Sequence, residues 1–432
     1  MYRFLFILGV LLLSGCATYG DWATQMEGRI VAQDIPGALQ VLEKRAGNRE
    51  RDAVLFQLNR GMLLRLKEDL PASEEAFEQA KAQIEAVLAV SVSEQAGALA
   101  INDAQRSYTG EPYERAFLHF YAALNYLEQR RRDDARVEML QLDVLLGSLN
   151  GGKPFAGAAL PRYLSGMVFE AGGEWSDAMI AYRKAYEIYH SYPAGAVTVP
   201  RALGLDLVRL ATRLALNDEA ARYRKEFGLG EVQLRPRVPG EAELIVLLHS
   251  GLAPVMRESS VTVPTSAGRL VSISMPFYDQ KRRPQIAAAA VTVDGAAART
   301  ELAEDIDAAA RAALEARRGA IIARTAGRAV VKHEASRQVA RENELVGLAV
   351  NIAGLITERA DTRSWSTLPG NIDMLRLPIP AGEHTARIEL LDRQGAVVET
   401  FSYPLTLGAG ELHFVSLHRV LPADISTRSS AR

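Results

Sequence analysis

Few residue arrangements in this chain have the types and spacing that catalysis needs. His333 and Glu334 begin like a zinc-binding His-Glu-x-x-His pattern, but position 337 is arginine, so the second metal ligand is missing. Gly147-x4-Gly152-Lys153 has the glycine spacing of a phosphate-binding loop, but Pro154 stands where a Ser or Thr hydroxyl would bind magnesium. The chain also lacks the Gly-x-Ser-x-Gly turn of serine hydrolases. We therefore expect no enzymatic activity, no metal and no cofactor.

The only cysteine, Cys16, stands in a pattern that predicts covalent modification. Arg3 gives a basic start, residues 4–13 form an apolar run, and Leu13-Ser14-Gly15-Cys16 follows. This is the layout of a secretory signal peptide, and the run is too short to span a bilayer, which takes about 20 residues. Leu-Ser-Gly-Cys resembles the lipobox of bacterial lipoproteins, in which the chain is cut before the cysteine and the cysteine is acylated. We expect a signal peptide at 1–15, lipid on Cys16 and a flexible lipidated tether at 16–23.

The lipobox resemblance also implies a location. Position 17 is alanine rather than aspartate, which in bacteria with the usual sorting rule implies the periplasmic side of the outer membrane. One acyl chain binds a membrane reversibly, whereas two or more, such as palmitate chains, anchor a protein stably. The alternatives are an ordinary signal peptide and a helix that stays uncut. A single cysteine excludes an internal disulfide.

Composition and periodicity divide the chain into two halves. With 48% hydrophobic and 24% charged residues, it has the composition of a globular protein, and the net charge of −2 gives no indication of nucleic-acid binding. Apolar residues at three- and four-residue spacings predict helices across 24–227. Glycine and proline interrupt the pattern at 228–241. We expect a helical repeat domain at 24–230 and a second domain at 242–420.

The second half has the pattern of strands interrupted by one long helical stretch. Short alternating runs occur at 242–249, 260–263, 268–275 and 289–294, and again at 373–379, 384–392, 396–403 and 411–419. An Ala/Arg-rich stretch at about 301–358 separates the two groups. The fold class predicted is therefore α+β, with an antiparallel β-sandwich at 242–420, a helical insertion at 301–358 and a flexible tail at 421–432.

The helical half contains an internal repeat of small and bulky side chains. Gly61, Ser73, Phe77 and Ala80 stand at the same offsets as Gly166, Ala178, Tyr182 and Ala185, and less perfectly as Ala123, Ala135, Met139 and Leu142. These offsets resemble the tetratricopeptide repeat, in which a small residue lets two paired helices approach and an aromatic ring fills the adjacent gap. A generic helical bundle is the alternative. Stacked repeats leave a concave face that usually binds protein segments.

Three stretches resemble a known family. They are 113–127 with 134–138, then 347–352 with 360–365 and 368–369, and finally 376–382. Together they are similar to a family of uncharacterised proteobacterial lipoproteins with tetratricopeptide-like N-terminal halves, and Ala-Asp-Thr-Arg-Ser-Trp at 360–365 is the most specific part. Members are often encoded near a lipoprotein activator of penicillin-binding proteins. The resemblance implies a role at the cell envelope, such as cell-wall assembly, and assigns no activity.

Two groups of residues are candidate binding sites. Asp361, Arg363 and Trp365 form a polar and aromatic cluster that could bind a partner, or could instead cap a helix and cover the core. The second group lies within 317–341, which holds seven basic residues and one acidic residue. In it, Arg324, Arg328 and Lys332 are four apart and share one helix face.

That basic face favours either of two interpretations. It could contact anionic lipid or an acidic partner, or it could be a solvated helix whose charges complement acidic residues at 301–315. The function expected overall is a membrane-anchored scaffold that binds a periplasmic or envelope protein through its helical repeats. The alternatives are a cell-wall- or lipid-binding module that uses the basic helix, and an enzyme with an unrecognised site. The sequence predicts no oligomeric state.

Overall fold

The computed structural model of the chain describes residues 19–46, 50–91, 106–230, 240–264, 270–279, 283–342 and 359–421. Helices occupy the first half and β-sheets the second, so the predicted α+β class is confirmed. The signal peptide, Cys16 and the tail beyond residue 421 lie outside the described residues.

The described part of the first half folds into five helical hairpins. Each hairpin joins two helices through a three-residue turn. The helices are α1 (Tyr19–Val31) and α2 (Ile35–Ala46), α3 (Ala53–Leu66) and α4 (Leu70–Ser91), α5 (Pro112–Glu128) and α6 (Arg132–Ser148), α7 (Ala159–Ala171) and α8 (Trp175–His190), and α9 (Arg201–Arg213) and α10 (Asn217–Glu226). Because α1 begins at Tyr19, residues 19–23 are helical and do not belong to the expected tether at 16–23.

All five hairpins use the same turn. The second residue after each first helix has a positive φ; these residues are Gln33, Glu68, Arg130, Gly173 and Ala215. In the fourth hairpin the N–H of Gly173 bonds to Glu170 O at 2.9 Å, and the next N–H bonds to Phe169 O at 2.9 Å. This pair of bonds is the Schellman arrangement, which satisfies the last carbonyls of a helix. The shared turn therefore sets the same reversal in every pair.

The repeat offsets predicted from sequence mark the helix crossings. A Cβ placed on Gly61 would lie 2.4 Å from the Phe77 ring, and one on Gly166 would lie 2.2 Å from the Tyr182 ring. Only glycine leaves room for these rings at that distance. The expectation that small residues let paired helices approach an aromatic ring is confirmed at both crossings.

The described part of the second half contains two four-stranded sheets and one separate hairpin. The separate hairpin consists of β2 (Met256–Pro264) and β3 (Leu270–Tyr278). The remaining strands are β1 (Glu241–Ser250), β4 (Ile286–Val293), β5 (Ala296–Arg299), β6 (Glu301–Asp305), β7 (Asn371–Pro380), β8 (Gly382–Asp392), β9 (Val397–Leu407) and β10 (Leu412–Arg419). The first sheet has the order β10-β1-β7-β6, and the second has the order β5-β4-β8-β9.

Two predictions for this half need correction. The sandwich is not wholly antiparallel, because β10 runs parallel to β1. After β9 the chain crosses between the sheets at Gly408–Glu411, where Gly410 N bonds to Glu241 O, so β10 enters beside the start of β1. The helical insertion also begins later than residue 301: residues 301–305 form β6, which pairs with β7, and α11 spans Ile306–Glu342.

The first sheet lies between the helices and the second sheet. Side chains that alternate along its strands divide between two cores. Ile245, Leu247, Ile372 and Met374 belong to the core shared with the helices. Leu244, Val246, Leu375 and Leu377 belong to the core shared with the second sheet. The described chain is thus three-layered, with the first sheet buried on both faces.

Candidate functional site

The inner face of the helical array is covered by the chain's own first sheet. Helices α3, α5, α7 and α9 contact this sheet, and α7 is buried at every position from Ala159 to Glu170. Tyr189, at the end of α8, donates to Ala303 O of β6 at 2.8 Å. The concave surface that repeats of this kind usually offer to a partner is therefore occupied from within the molecule.

A buried ionic cluster centred on Arg376 joins the sheet to the helices. Its guanidinium on β7 donates to both Glu243 oxygens of β1, at 2.7 and 2.6 Å, and to Asp206 of α9. Asp206 also accepts the Tyr163 hydroxyl at 2.6 Å and Arg209 at 2.9 Å. Burial alone would lower the pKa of Arg376, but Asp206 and Glu243 raise it well above its ordinary value. Arg376 therefore stays charged and holds the two layers together.

The predicted cluster of Asp361, Arg363 and Trp365 lies at the joint between the two halves. Arg363 donates to Asp361 Oδ2 at 2.7 Å and to Asp52 Oδ1 at 3.0 Å, and its guanidinium lies over the Tyr108 ring. Burial would lower the pKa of Arg363, and the two carboxylates raise it instead. This arrangement fixes the segment against the start of α3, and it leaves the Arg363 donors engaged within the chain.

Trp365 is fully buried and closes the same joint. Its ring packs edge-on against Phe77 and Tyr121, with centroids 6.0 and 6.2 Å away. Its backbone N–H donates to Glu114 Oε1 at 2.7 Å, and its indole N–H donates to Thr367 Oγ1 at 2.9 Å. Of the two interpretations left open by the sequence, the structure favours covering of the core over contact with a partner.

Several carboxyl groups in the interior have raised pKa values. Burial raises the pKa of Glu111 to about 7, against the opposing effect of Arg317 at 2.6 Å. Burial likewise raises the pKa of Glu304 to about 7, against hydrogen bonds that include the Tyr192 hydroxyl. Groups that titrate near neutrality are candidate general acids or bases. Glu304 is fully buried and Glu111 nearly so, and both are bonded within the chain, so their geometry suits packing of the joint better than contact with a substrate.

Two stacked histidines lie side by side on adjacent strands of the first sheet, on the side that faces the helices. His249 of β1 and His418 of β10 are register partners with ring centroids 4.2 Å apart. Tyr121 Oη lies 3.1 Å from His249 Nδ1, while Nε2 of each ring has no hydrogen-bond partner among the residues that the structure describes. Burial, the first cause in both, lowers the pKa of His249 well below its ordinary value and that of His418 to about 3. Both rings are therefore neutral at physiological pH.

The remaining predicted site residues are placed only in part. Arg324 lies half-buried on α11. Arg328 and Lys332 belong to the same helix, but their side chains, like Cys16, lie outside what the structure describes. Because only one of these three side chains is described, the shared basic face stays a prediction.

An apolar stripe on the outer face of the array was not foreseen from the sequence. Val137, Leu140 and Val144 are exposed on α6, and Val144 is 75% exposed. Ile180 is exposed on the neighbouring helix α8. These four residues are called the outer stripe below. Its sequence signal is a second apolar face on α6, in addition to the buried face of Ala135, Met139, Leu142 and Leu146.

The described residues contain no group of three or more His, Cys, Asp or Glu side chains that could hold a metal ion. Within the same residues, no helix is both long enough and apolar enough to cross a membrane.

Comparison with known proteins gives no family assignment. No protein-family model and no curated protein matches the chain. Among solved structures, the crystal structure of MamA is 15% identical and covers 49% of this chain and 92% of MamA, with a TM-score of 0.31. BtubC from P. vanneervenii is 13% identical over 46% of this chain and 71% of BtubC, with a TM-score of 0.32. The apo form of RapI is 10% identical over 48% of this chain and 52% of RapI, with a TM-score of 0.36. Matches with TM-scores this low assign neither a fold family nor a function to the chain.

Proposed function

We propose that this chain is a non-enzymatic lipoprotein scaffold of the bacterial cell envelope that binds a protein partner on the outer face of its helical array. The observation that carries this proposal is the outer stripe. The inner face is filled by the first sheet, whereas the described outer face exposes apolar side chains that include Val137, Leu140, Val144 and Ile180. Exposed apolar side chains grouped on neighbouring helices mark interaction sites.

The partner fitting this surface is a protein with a matching apolar patch. The surroundings of the stripe are charged and already paired: Asp143 accepts Lys184 at 3.0 Å, and Arg136 binds Glu174 through two bonds of 2.7 Å. An apolar centre with a polar rim is the usual anatomy of a protein–protein interface. The paired rim charges also link α6 to α8 and to the turn that precedes it.

The test replaces the stripe with charge and follows the partner. Val137→Glu with Val144→Glu places two carboxylates on α6, and Val397→Glu with Val398→Glu does the same at exposed positions on β9. Exposed substitutions of this kind change stability by about 0.5 kcal/mol or less. Proteins would be crosslinked in native envelopes, purified through the tagged chain and compared by quantitative mass spectrometry.

We expect one envelope protein, captured by the wild type, to be lost with the α6 variant and kept with the β9 variant. Equal capture by all three proteins would contradict the assignment of the partner to the outer stripe. Loss with both variants would contradict it too, because the stripe would then have no special role.

The membrane anchor is the second part of the proposal, and the Leu-Ser-Gly-Cys pattern supports it. Lipid on Cys16 would hold the scaffold on the periplasmic side of the outer membrane, where a role in cell-wall assembly fits the family that the sequence resembles. Cys16→Ser removes the acylated thiol. Incorporation of a fatty-acid probe should fall to background in this variant, and undiminished labelling would refute the anchor.

A further inference from the structure

Only a short segment of chain connects Cys16 to the first helix. Tyr19 is buried, and its hydroxyl donates to Ser364 O at 2.5 Å. Trp22 on the same helix donates to Val41 O at 2.9 Å, so α1 is fixed from its first turn. Only Ala17 and Thr18 separate Cys16 from Tyr19. At 3.8 Å per residue, the Cα atoms of Cys16 and Tyr19 are at most about 11 Å apart.

The β2–β3 hairpin and α11 together form an arm. The base of this arm lies at the same end of the molecule as Tyr19. Tyr19 bonds to Ser364, and the next residue, Trp365, bonds to Glu114 at the start of α5. Glu111, one turn earlier, binds Arg317 of α11 at 2.6 Å. Tyr278, the last residue of β3, lies beside the same carboxylates.

The arm continues beyond this end. From Arg317 to Glu342, α11 extends for another 25 residues, which is about 37 Å at 1.5 Å per residue. The β3 hairpin packs along α11, with Ser274, Pro276 and Tyr278 on its buried side.

The opposite side of the hairpin is an exposed apolar face. Val261 and Ile273 are cross-strand partners, and Phe277 lies on the same face by the alternation of the strand. All three are exposed, and Met275 between them is half-buried. Arg257, opposite Phe277, is paired with Asp279, so the charge of this arginine is compensated.

We propose that this hairpin face is a second membrane contact, in which Val261, Ile273 and Phe277 enter the headgroup region of the bilayer to which Cys16 is anchored. The inference rests on the lipid anchor of the proposed function. A tether of two residues keeps the arm's base close to the bilayer, so a contact too weak to hold a free protein is effectively intramolecular. Apolar side chains that enter the acyl–headgroup boundary gain hydrophobic free energy without spanning the membrane. The short tether therefore fixes the orientation of the scaffold.

The single cysteine makes the test direct. The chain from Cys16 to Arg432 is coupled through its thiol to maleimide-headgroup lipid in phosphatidylcholine vesicles containing phosphatidylglycerol. Hydrogen exchange of the hairpin strands is then compared between coupled protein and the same protein free in solution. A Val261→Asp, Ile273→Asp variant changes the hairpin face, and a Val397→Asp, Val398→Asp variant is the matched control on β9.

We expect coupling to slow exchange in β2 and β3 by about tenfold, equivalent to about 1.4 kcal/mol of protection. The β9 variant should keep this protection and the hairpin variant should lose it, while exchange in α6 should be unchanged by coupling in all proteins. Unchanged hairpin exchange on coupling would overturn the proposal. Protection of the free protein that rises with its concentration would also overturn it, because a second copy would then cover the face. Failure of fatty-acid labelling at Cys16 in cells would refute the anchor alone, since the vesicle measurement supplies its own attachment.

Discussion

Replacing Arg376 with methionine should separate the contribution of the buried ionic cluster from that of the apolar core. Arg376 binds carboxylates from both layers, Glu243 in the sheet and Asp206 in α9. Its side chain is 5% exposed, and those of its partners are 12% and 8% exposed. Methionine keeps much of the side-chain volume but supplies no donor.

The expected decrease in unfolding free energy follows from the hydrogen bonds that Asp206 and Glu243 lose when Arg376 is replaced. Removing one partner of a buried ion pair typically costs about 3–5 kcal/mol, because a charge is left buried without compensation. Asp206 keeps the Tyr163 hydroxyl and Arg209, whereas Glu243 loses both of its bonds to Arg376. We therefore expect the lower end, about 3 kcal/mol.

Urea unfolding, monitored by circular dichroism and by tryptophan fluorescence, measures this loss. The matched control is Arg387→Met, which removes an exposed pair with Glu389 and should cost about 1 kcal/mol or less. Adding Glu243→Gln to Arg376→Met removes the negative charge at position 243 and should recover part of the loss. A cost for Arg376→Met no larger than that of the control, or simple additivity of the two substitutions at the cluster, would refute a stabilising role for the buried ion pairs.

Three further predictions test the repeats and the histidine pair. Gly166→Ala should lower the unfolding free energy by about 1–3 kcal/mol through the clash with the Tyr182 ring, whereas Gly147→Ala, with nothing within 4 Å of its new Cβ, should not destabilise; thermal melts would compare them. Ala215→Gly should raise the urea midpoint, because Ala215 has a φ of 57° that glycine adopts without strain; an unchanged or lower midpoint contradicts this. Because the pKa of His418 is lowered to about 3, its stabilisation is complete above pH 6.5 and declines by about 1.4 kcal/mol per pH unit as the pH falls toward 3. His418→Asn should therefore show a shallower loss of stability over that range, and parallel curves for the two proteins would exclude the linkage.

Periodicity and small-residue spacing were sufficient to predict the helical half. The offsets from Gly61 and Gly166 identified real crossings, because close packing of two helices requires a small residue facing a large ring in a fixed register. The shared turn was not predictable in the same way. Four of its five left-handed residues are not glycine, and their conformation follows from the hydrogen bonds at the helix ends rather than from residue type.

The candidate site was harder to predict because it depends on which layers meet. Trp365 was correctly identified as a residue to explain, but its burial against Phe77 and Tyr121 depends on chain segments far apart in sequence. The sequence around Arg376 predicts only a charged residue on a strand. Its burial as a cation becomes evident from the packing of α9 against β7, where Asp206 binds it. Likewise, covering of the inner helical face by the first sheet cannot be read from either half alone.

Site-specific photocrosslinking in intact cells tests the central claim most directly, namely that a partner binds the outer face because the inner face is filled. A photoreactive amino acid is placed at Val144, the most exposed residue of the outer stripe, and at Val398 on β9 as the control. We expect a discrete adduct with one envelope protein from Val144 and none from Val398. No adduct from Val144, or the same adduct from both positions, would contradict it.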